Sequence, residues 1–188
     1  MRVTITLLAY ALLAFPAGWR VQQNPLACHV RGSRQWLATR PSPLDSVAVT
    51  VHGTTAKICY SRPSARSRSV DSLVPPGAAW RLGANEPTTI TLTGSLSIGG
   101  ATLGGGRYVL LAVPDLDKWT LVFYTTPDTE PAKMFQSLHQ VASGTGQVEH
   151  TVEQREKFTI RSEGDTTKGE LLLEWGTWRV RVPVQVAS

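Results

Sequence analysis

An all-β fold is predicted, an antiparallel β-sandwich or barrel-like (jelly-roll-like) domain with one short helix. Three observations predict it. Sixteen glycines and twelve prolines fall between short apolar runs, which marks many turns. Val47, Val49 and Val51 alternate with polar residues, as a half-buried strand requires. Arg107 to Val113 is one continuous apolar run bounded by Gly104-Gly105-Gly106 and Pro114, which suits a strand buried on both faces.

The elements follow in order. Met1-Arg2 opens a nearly apolar stretch from Val3 to Ala17. It is shorter than the ~20 residues a membrane span needs and has the form of an export signal. Residues 1–27 are therefore read as a signal peptide with an open cleavage point, and 28–44 as a polar, proline-punctuated tail. Residues 45–186 are read as a single β-rich domain. His52-Gly53-Thr54 turns the Val47–Val51 strand into a second one, on which Ala56, Ile58 and Tyr60 share a face. An irregular segment from Ser61 to Pro87 follows. Alternation resumes at Thr88–Thr93, and Gly99-Gly100 signals a hairpin inside Leu96–Leu103. Trp119–Tyr124 is the next strand. Helix-favouring residues between Pro131 and Val141 predict the helix. Strands are expected over Val148–Ile160 with a break, Gly169–Trp175 and Trp178–Val186, with Gly176-Thr177 as the last hairpin turn.

Composition restricts the function classes. The formal charge is +5, and no acid precedes Asp45. The cations are scattered, with one short cluster at Arg62, Arg66 and Arg68. No reader motif accompanies them, so nucleic acid is not expected as a partner. The chain has no nucleophile elbow, no phosphate loop and no His-Glu-x-x-His. The four histidines stand in tail, turn and loop contexts, so neither a metal nor a cofactor is expected.

The two cysteines permit one intramolecular pairing. A Cys28–Cys59 bridge is favoured in an oxidising compartment. It would close a loop of about 30 residues, worth roughly 3–4 kcal/mol. Pro25-Leu26-Ala27-Cys28 also has the form of a degenerate lipobox. A lipidated Cys28 with a free Cys59, or two free thiols, therefore stay open, and a membrane is a partner only if Cys28 carries lipid. The expected location is the periplasm or the exterior.

The irregular segment holds the candidate site: Tyr60, Arg62, Arg66, Trp80, Arg81, Asn85 and Glu86. Arginine forks match carboxylates and phosphates, and Trp80 offers a flat face for stacking. One reading is a pocket rim for a small polar or anionic ligand. A structural reading has Trp80 in the core and Arg81 paired to Glu86. Arg66 and Arg68 suit solvated surface.

Tyr60-Ser61-Arg62-Pro63-Ser64-x-Arg66 is followed by Leu73-Val74-Pro75-x-Gly77-x-x-Trp80-Arg81-x-Gly83-Ala84-Asn85-Glu86-x-Thr88-x-Ile90. This pattern resembles a bacterial family catalogued as domain of unknown function 2911. The likeness continues through Gly106-x-Tyr108, Trp119-x-x-Val122, Leu173-Glu174-Trp175 and Arg179-Val180-x-Val182-Pro183. It implies an exported β-rich domain and supplies no catalytic residues. The chain departs from the family at Ser67-Arg68-Ser69, where Gly-Arg-Lys is usual, and at Tyr124-Thr125. Three functions remain in play. The first is a non-enzymatic, envelope-associated binding module. The others are a hydrolase-like enzyme using Glu86 with Arg81 and Asn85, and a purely structural interaction module.

Overall fold

The structure is a computed structural model that describes residues 24–30, 32–127 and 131–187. The predicted export signal lies mostly outside these residues. The elements run α1 (Arg34–Thr39), β1 (Leu44–Val51), β2 (Thr54–Ser61), α2 (Val70–Leu73), β3 (Thr89–Leu92), β4 (Leu96–Ile98), β5 (Ala101–Leu103), β6 (Gly106–Val113), β7 (Lys118–Thr125), α3 (Pro131–Met134), β8 (His139–Gly164) and β9 (Gly169–Val186).

The fold is all-β. Among the described residues nine strands form one antiparallel sheet in the order β1-β2-β3-β6-β7-β8-β9-β4-β5. The sheet is not a closed barrel. It folds back so that β1 packs against β8 and β9, and β5 against β8. Its inner face encloses the core, with Val49, Val51, Ile58, Ile90, Leu110, Phe123, Phe158, Leu173 and Val182 among the buried side chains.

Register follows the alternation in the sequence. Val47 faces Ile58 and Val49 faces Ala56 across β1 and β2. Slipping by one residue would turn these apolar side chains to the other face, so the pairing is strongly specified. Gly99 and Gly100 have φ of 58° and 86° and close the β4–β5 hairpin with a two-residue turn of the kind that needs positive φ at both positions.

Three expectations are corrected. The helix begun at Pro131 ends at Met134, and two further short helices, α1 and α2, lie elsewhere. From His139 the chain enters β8, where Thr125 pairs with His139 and Tyr124 with Gln140. Ladder hydrogen bonds along β7 override the helical propensity of this stretch. The expected turn at Gly176-Thr177 is instead the middle of one long strand. Gly176, at φ 58°, pairs with Arg155 while β8 bulges on either side. A Cβ there would come within 2.7 Å of Val70 Cγ2, so this glycine marks a bulge and a close approach. The tail is also structured. Ser33 Oγ accepts from Trp36 N at 3.2 Å and caps α1.

The Cys28–Cys59 disulfide forms, with Cα atoms 5.6 Å apart. It staples the segment before α1 to β2. A bridged Cys28 has no thiol to carry a lipid. The bond fits an oxidising, exported compartment. No helix among the described residues is long and apolar enough to cross a membrane.

Candidate functional site

The irregular segment is pinned at both ends. Trp80 N donates to Ala112 O at 2.7 Å, and Ala112 N returns a bond to Trp80 O at 2.8 Å. This bridge to β6 directs the Trp80 indole inward. It stacks on Trp175 with centroids 5.6 Å apart and meets Phe158 edge-on at 4.9 Å and Trp119 at 5.9 Å. Trp80 is therefore half-buried and packs against the core.

The next residues reverse sharply. Leu82, fully buried, has φ 53°, and Asn85 has φ 60°. Asn tolerates this region, but a leucine there costs about 1–2 kcal/mol. The turn is held by Thr88 Oγ1, which donates to Leu82 O at 2.8 Å, and by Ala84 N, which donates to Ser61 O at 3.3 Å. Backbone strain held this firmly often accompanies a site. The turn brings Arg81, Asn85 and Glu86 to one wall of an open cleft of about 560 Å3. Trp36, Arg40, Pro41, Ser42 and Phe135 form the rest of it.

Glu86 is held from the side of α1. Arg40, the residue that ends that helix, donates Nη1 to Oε1 and Nη2 to Oε2, both at 2.7 Å. Arg40 Nη2 also donates to Ser61 Oγ at 2.6 Å, and Ser61 Oγ donates to Glu86 Oε2 at 3.0 Å. Arg40 Nε donates to Ser42 O, and its guanidinium lies 5.1 Å over the Trp36 ring. The fork–fork geometry is the strong form of an ion pair. Burial works to raise the Glu86 pKa. The Arg40 bonds and charge outweigh it, with help from Ser61, and hold the carboxyl below its ordinary value.

The structural reading of the sequence, with Arg81 paired to Glu86, is thus corrected. Arg81 donates Nη1 to Asn85 O at 3.0 Å, and its guanidinium lies 5.2 Å over the Phe135 ring. The Asn85 amide donates to Ser42 O at 3.2 Å, tying the turn to the segment after α1. Trp36 is 53% exposed and Phe135 36%.

The other sequence candidates lie elsewhere. Tyr60 is in the core, where its hydroxyl accepts from Ile160 N at 2.8 Å. Burial is the main reason its pKa is pushed up to about 12. Arg62 braces β8, donating to Thr159 Oγ1 at 2.7 Å and to Phe158 O at 3.2 Å, and pairs with Asp45. Arg66 is exposed at φ 51°, and its backbone N–H donates to Glu156 Oε1 at 2.8 Å. Arg68 folds onto Ala65 O. None of these lines the cleft.

Sequence reasoning missed Trp36, Arg40, Ser61 and Phe135. The signal for the first two was the cysteine pair. A bridge from Cys28 to β2 must lay the intervening residues across the neighbouring strand ends.

Both Glu86 oxygens are engaged, and among the described residues no histidine or second acid lines the cleft. Among the described residues no group of three His, Cys, Asp or Glu is placed to hold a metal. The cleft can instead offer aromatic surface together with a guanidinium.

Searches of curated proteins and of solved structures find no match to the chain. A family model does match it, over residues 42–184. Trp36 and Arg40 precede the matched region. The chain belongs to the family described as "Protein of unknown function (DUF2911)".

Proposed function

We propose that this chain is an exported, envelope-associated binding domain of the periplasm or cell exterior. Its cleft takes a small ligand that combines a flat or apolar ring face with one anionic group. The carrying observation is Arg81. Among the described residues lining the cleft it is the cation with no carboxylate partner, since Arg40 is already satisfied by Glu86. Exposed Trp36 and Phe135 supply ring-stacking surface beside it. The volume falls within the few-hundred-Å3 range usual for small-molecule sites. Glu86, ionised and clamped, sets the shape of the wall and is poorly placed to transfer a proton. That favours binding over the hydrolase-like alternative.

The test is a thermal-shift screen of the protein against neutral sugars, acidic sugars, peptidoglycan fragments and aromatic carboxylates. Wild type, Arg81→Ala and Trp36→Ala are run together. At about 100 times Kd a ligand selective for the folded state adds roughly 2.7 kcal/mol, or about 5–10 °C for a chain of this size. The expected result is such a shift from an anionic ring compound, lost in Arg81→Ala and weakened in Trp36→Ala. No shift in wild type, or equal shifts in all three proteins, would remove the cleft as a ligand site.

A further inference from the structure

A second cationic feature lies outside the cleft. In the sheet register Lys57 on β2 faces Thr91 on β3, and Thr91 faces Arg107 on β6. Residues paired this way share a face, so Lys57, Thr91 and Arg107 form one row across three strands. It is the face opposite the core, because Ile58 and Tyr108 point inward. All three residues are half-buried.

Among the described residues neither cation has an acidic partner. Among the described residues no hydrogen bond or carboxylate reaches either head group. The described register neighbours on this face include Ala48, Thr55, disulfide-bonded Cys59, Thr89, Val109 and Tyr124, none of them acidic. Half-burial of an arginine often means only that its stem is covered. Here burial pushes the Arg107 pKa below its ordinary value with nothing to offset it, so the guanidinium itself is crowded. Elsewhere in the molecule the more enclosed arginines have carboxylates: Arg40 has Glu86, and Arg179 has Glu174. A partly desolvated charge without a partner is unfavourable, and an anion from outside would relieve it.

We infer that Lys57, Thr91 and Arg107 form a binding site for a phosphate group, distinct from the cleft. Neighbouring strands lie about 4.8 Å apart, so the two cationic residues are roughly 10 Å apart at the backbone. Their long side chains can converge on one tetrahedral oxyanion above Thr91. Arg107 supplies a planar fork, Lys57 a point charge and Thr91 a hydroxyl donor. Two cations without an acid match a phosphomonoester, which carries about −1.5 to −2 at neutral pH. A single carboxylate would leave one cation unanswered. The group can come from a soluble phosphate ester or from a lipid headgroup.

The experiment titrates inorganic phosphate against the full chain, with chloride adjusted to constant ionic strength, and follows Tm. Wild type should rise by several degrees and saturate. Arg107→Gln should start at an equal or higher Tm, because it removes an unpartnered half-buried cation, and should not respond. Lys57→Gln should respond at least tenfold more weakly and guards against a folding failure at position 107. No rise in wild type, or the same rise in wild type and Arg107→Gln, overturns the site. A response lost in Arg81→Ala and kept in Arg107→Gln would place phosphate in the cleft and also overturn it. Sedimentation with phosphatidic acid vesicles distinguishes the sources. Co-sedimentation lost in Arg107→Gln assigns a lipid headgroup. A response to free phosphate with no vesicle binding assigns a soluble ester.

Discussion

Two glutamates, the buried Glu174 and the half-buried Glu86, are both answered by arginine, yet they are built differently. Glu174 is 2% exposed and sits in the β8–β9 ladder. Arg161 donates to it at 2.9 Å, Arg179 at 2.7 Å, and Arg155 lies 3.5 Å away. All four residues belong to one pair of adjacent strands, so forming the hairpin assembles the network. Glu86 has one arginine, which comes from the end of α1, 46 positions earlier. That contact exists only if the segment before β1 is laid across the strand ends, where the Cys28–Cys59 bond holds it. The first network pins the sheet to itself, and the second docks an added segment that completes a cleft. The same chemistry thus serves a local brace and a long-range closure.

Breaking the local brace should have the largest effect. Removing one partner of a buried ion pair costs about 3–5 kcal/mol. Glu174→Gln leaves three cations facing a neutral amide. A loss near the lower end of that range is expected, because the arginines are partly exposed and recover some hydration. Tm should fall by roughly 6–12 °C, with the cleft intact in the surviving folded protein. A fall of less than 2 °C would mean that the arginines are equally well solvated without the carboxylate.

Next in size is the staple. Replacing both cysteines by serine frees a loop with a sequence separation of 31, a loss of about 3–4 kcal/mol in the chain-entropy view. Hydrogen exchange should localise the damage. Protection is expected to drop around α1 and residues 82–86, and to persist between Arg155 and Arg179. Uniform loss along the chain would show that the added segment and the sheet unfold as one unit, which would erase the contrast between the two glutamates.

Arg40→Ala should follow. It removes both bonds from the Glu86 carboxylate and leaves it with Ser61, at an expected cost of about 2 kcal/mol, because Glu86 keeps some contact with water. A double-mutant cycle of Arg40→Ala with Glu86→Gln measures the coupling directly. A coupling above 1 kcal/mol is expected. A value near zero would identify the pair as a geometric contact with no net contribution.

Much of the fold was legible because its signals are local. The valine alternation set the β1–β2 register, Gly99-Gly100 marked its hairpin, and two cysteines permitted one bridge. The strand at His139 and the continuity of β9 through Gly176 were not legible. In both places the deciding partner is distant in sequence: β7 for the first, Val70 and Arg155 for the second. The cleft was half legible. Arg81, Asn85 and Glu86 stood out as polar residues in an irregular stretch. Tyr60 points inward as its alternation with Ala56 and Ile58 implied, whereas the inward direction of Trp80 is set by its pairing with the distant Ala112. Arg40 and Phe135 carried no local mark, because each matters only after a long-range contact.

The smallest expected effect lies in the acid limb of stability, and it sharpens the comparison most. Both glutamates are held below their ordinary pKa, by Arg40 for one and by Arg161 and Arg179 for the other, against the opposing effect of burial. A carboxyl depressed in the folded state favours folding while it is ionised. Its contribution is complete above the unfolded value near 4.3 and is lost as pH falls through the folded value. Wild type should therefore lose stability steadily below about pH 4.5. Arg40→Ala lets the Glu86 pKa rise and removes that glutamate's share of the slope, so its urea midpoint should approach that of wild type as pH falls. Glu174→Gln should flatten the limb in the same way, and the two changes should add, because the networks share no residue. A limb that keeps its slope in both variants would shift the acid sensitivity to the exposed carboxylates. Asp165 is the first to consider, since hydrogen bonds from Thr167 and Lys168 hold its pKa near 2.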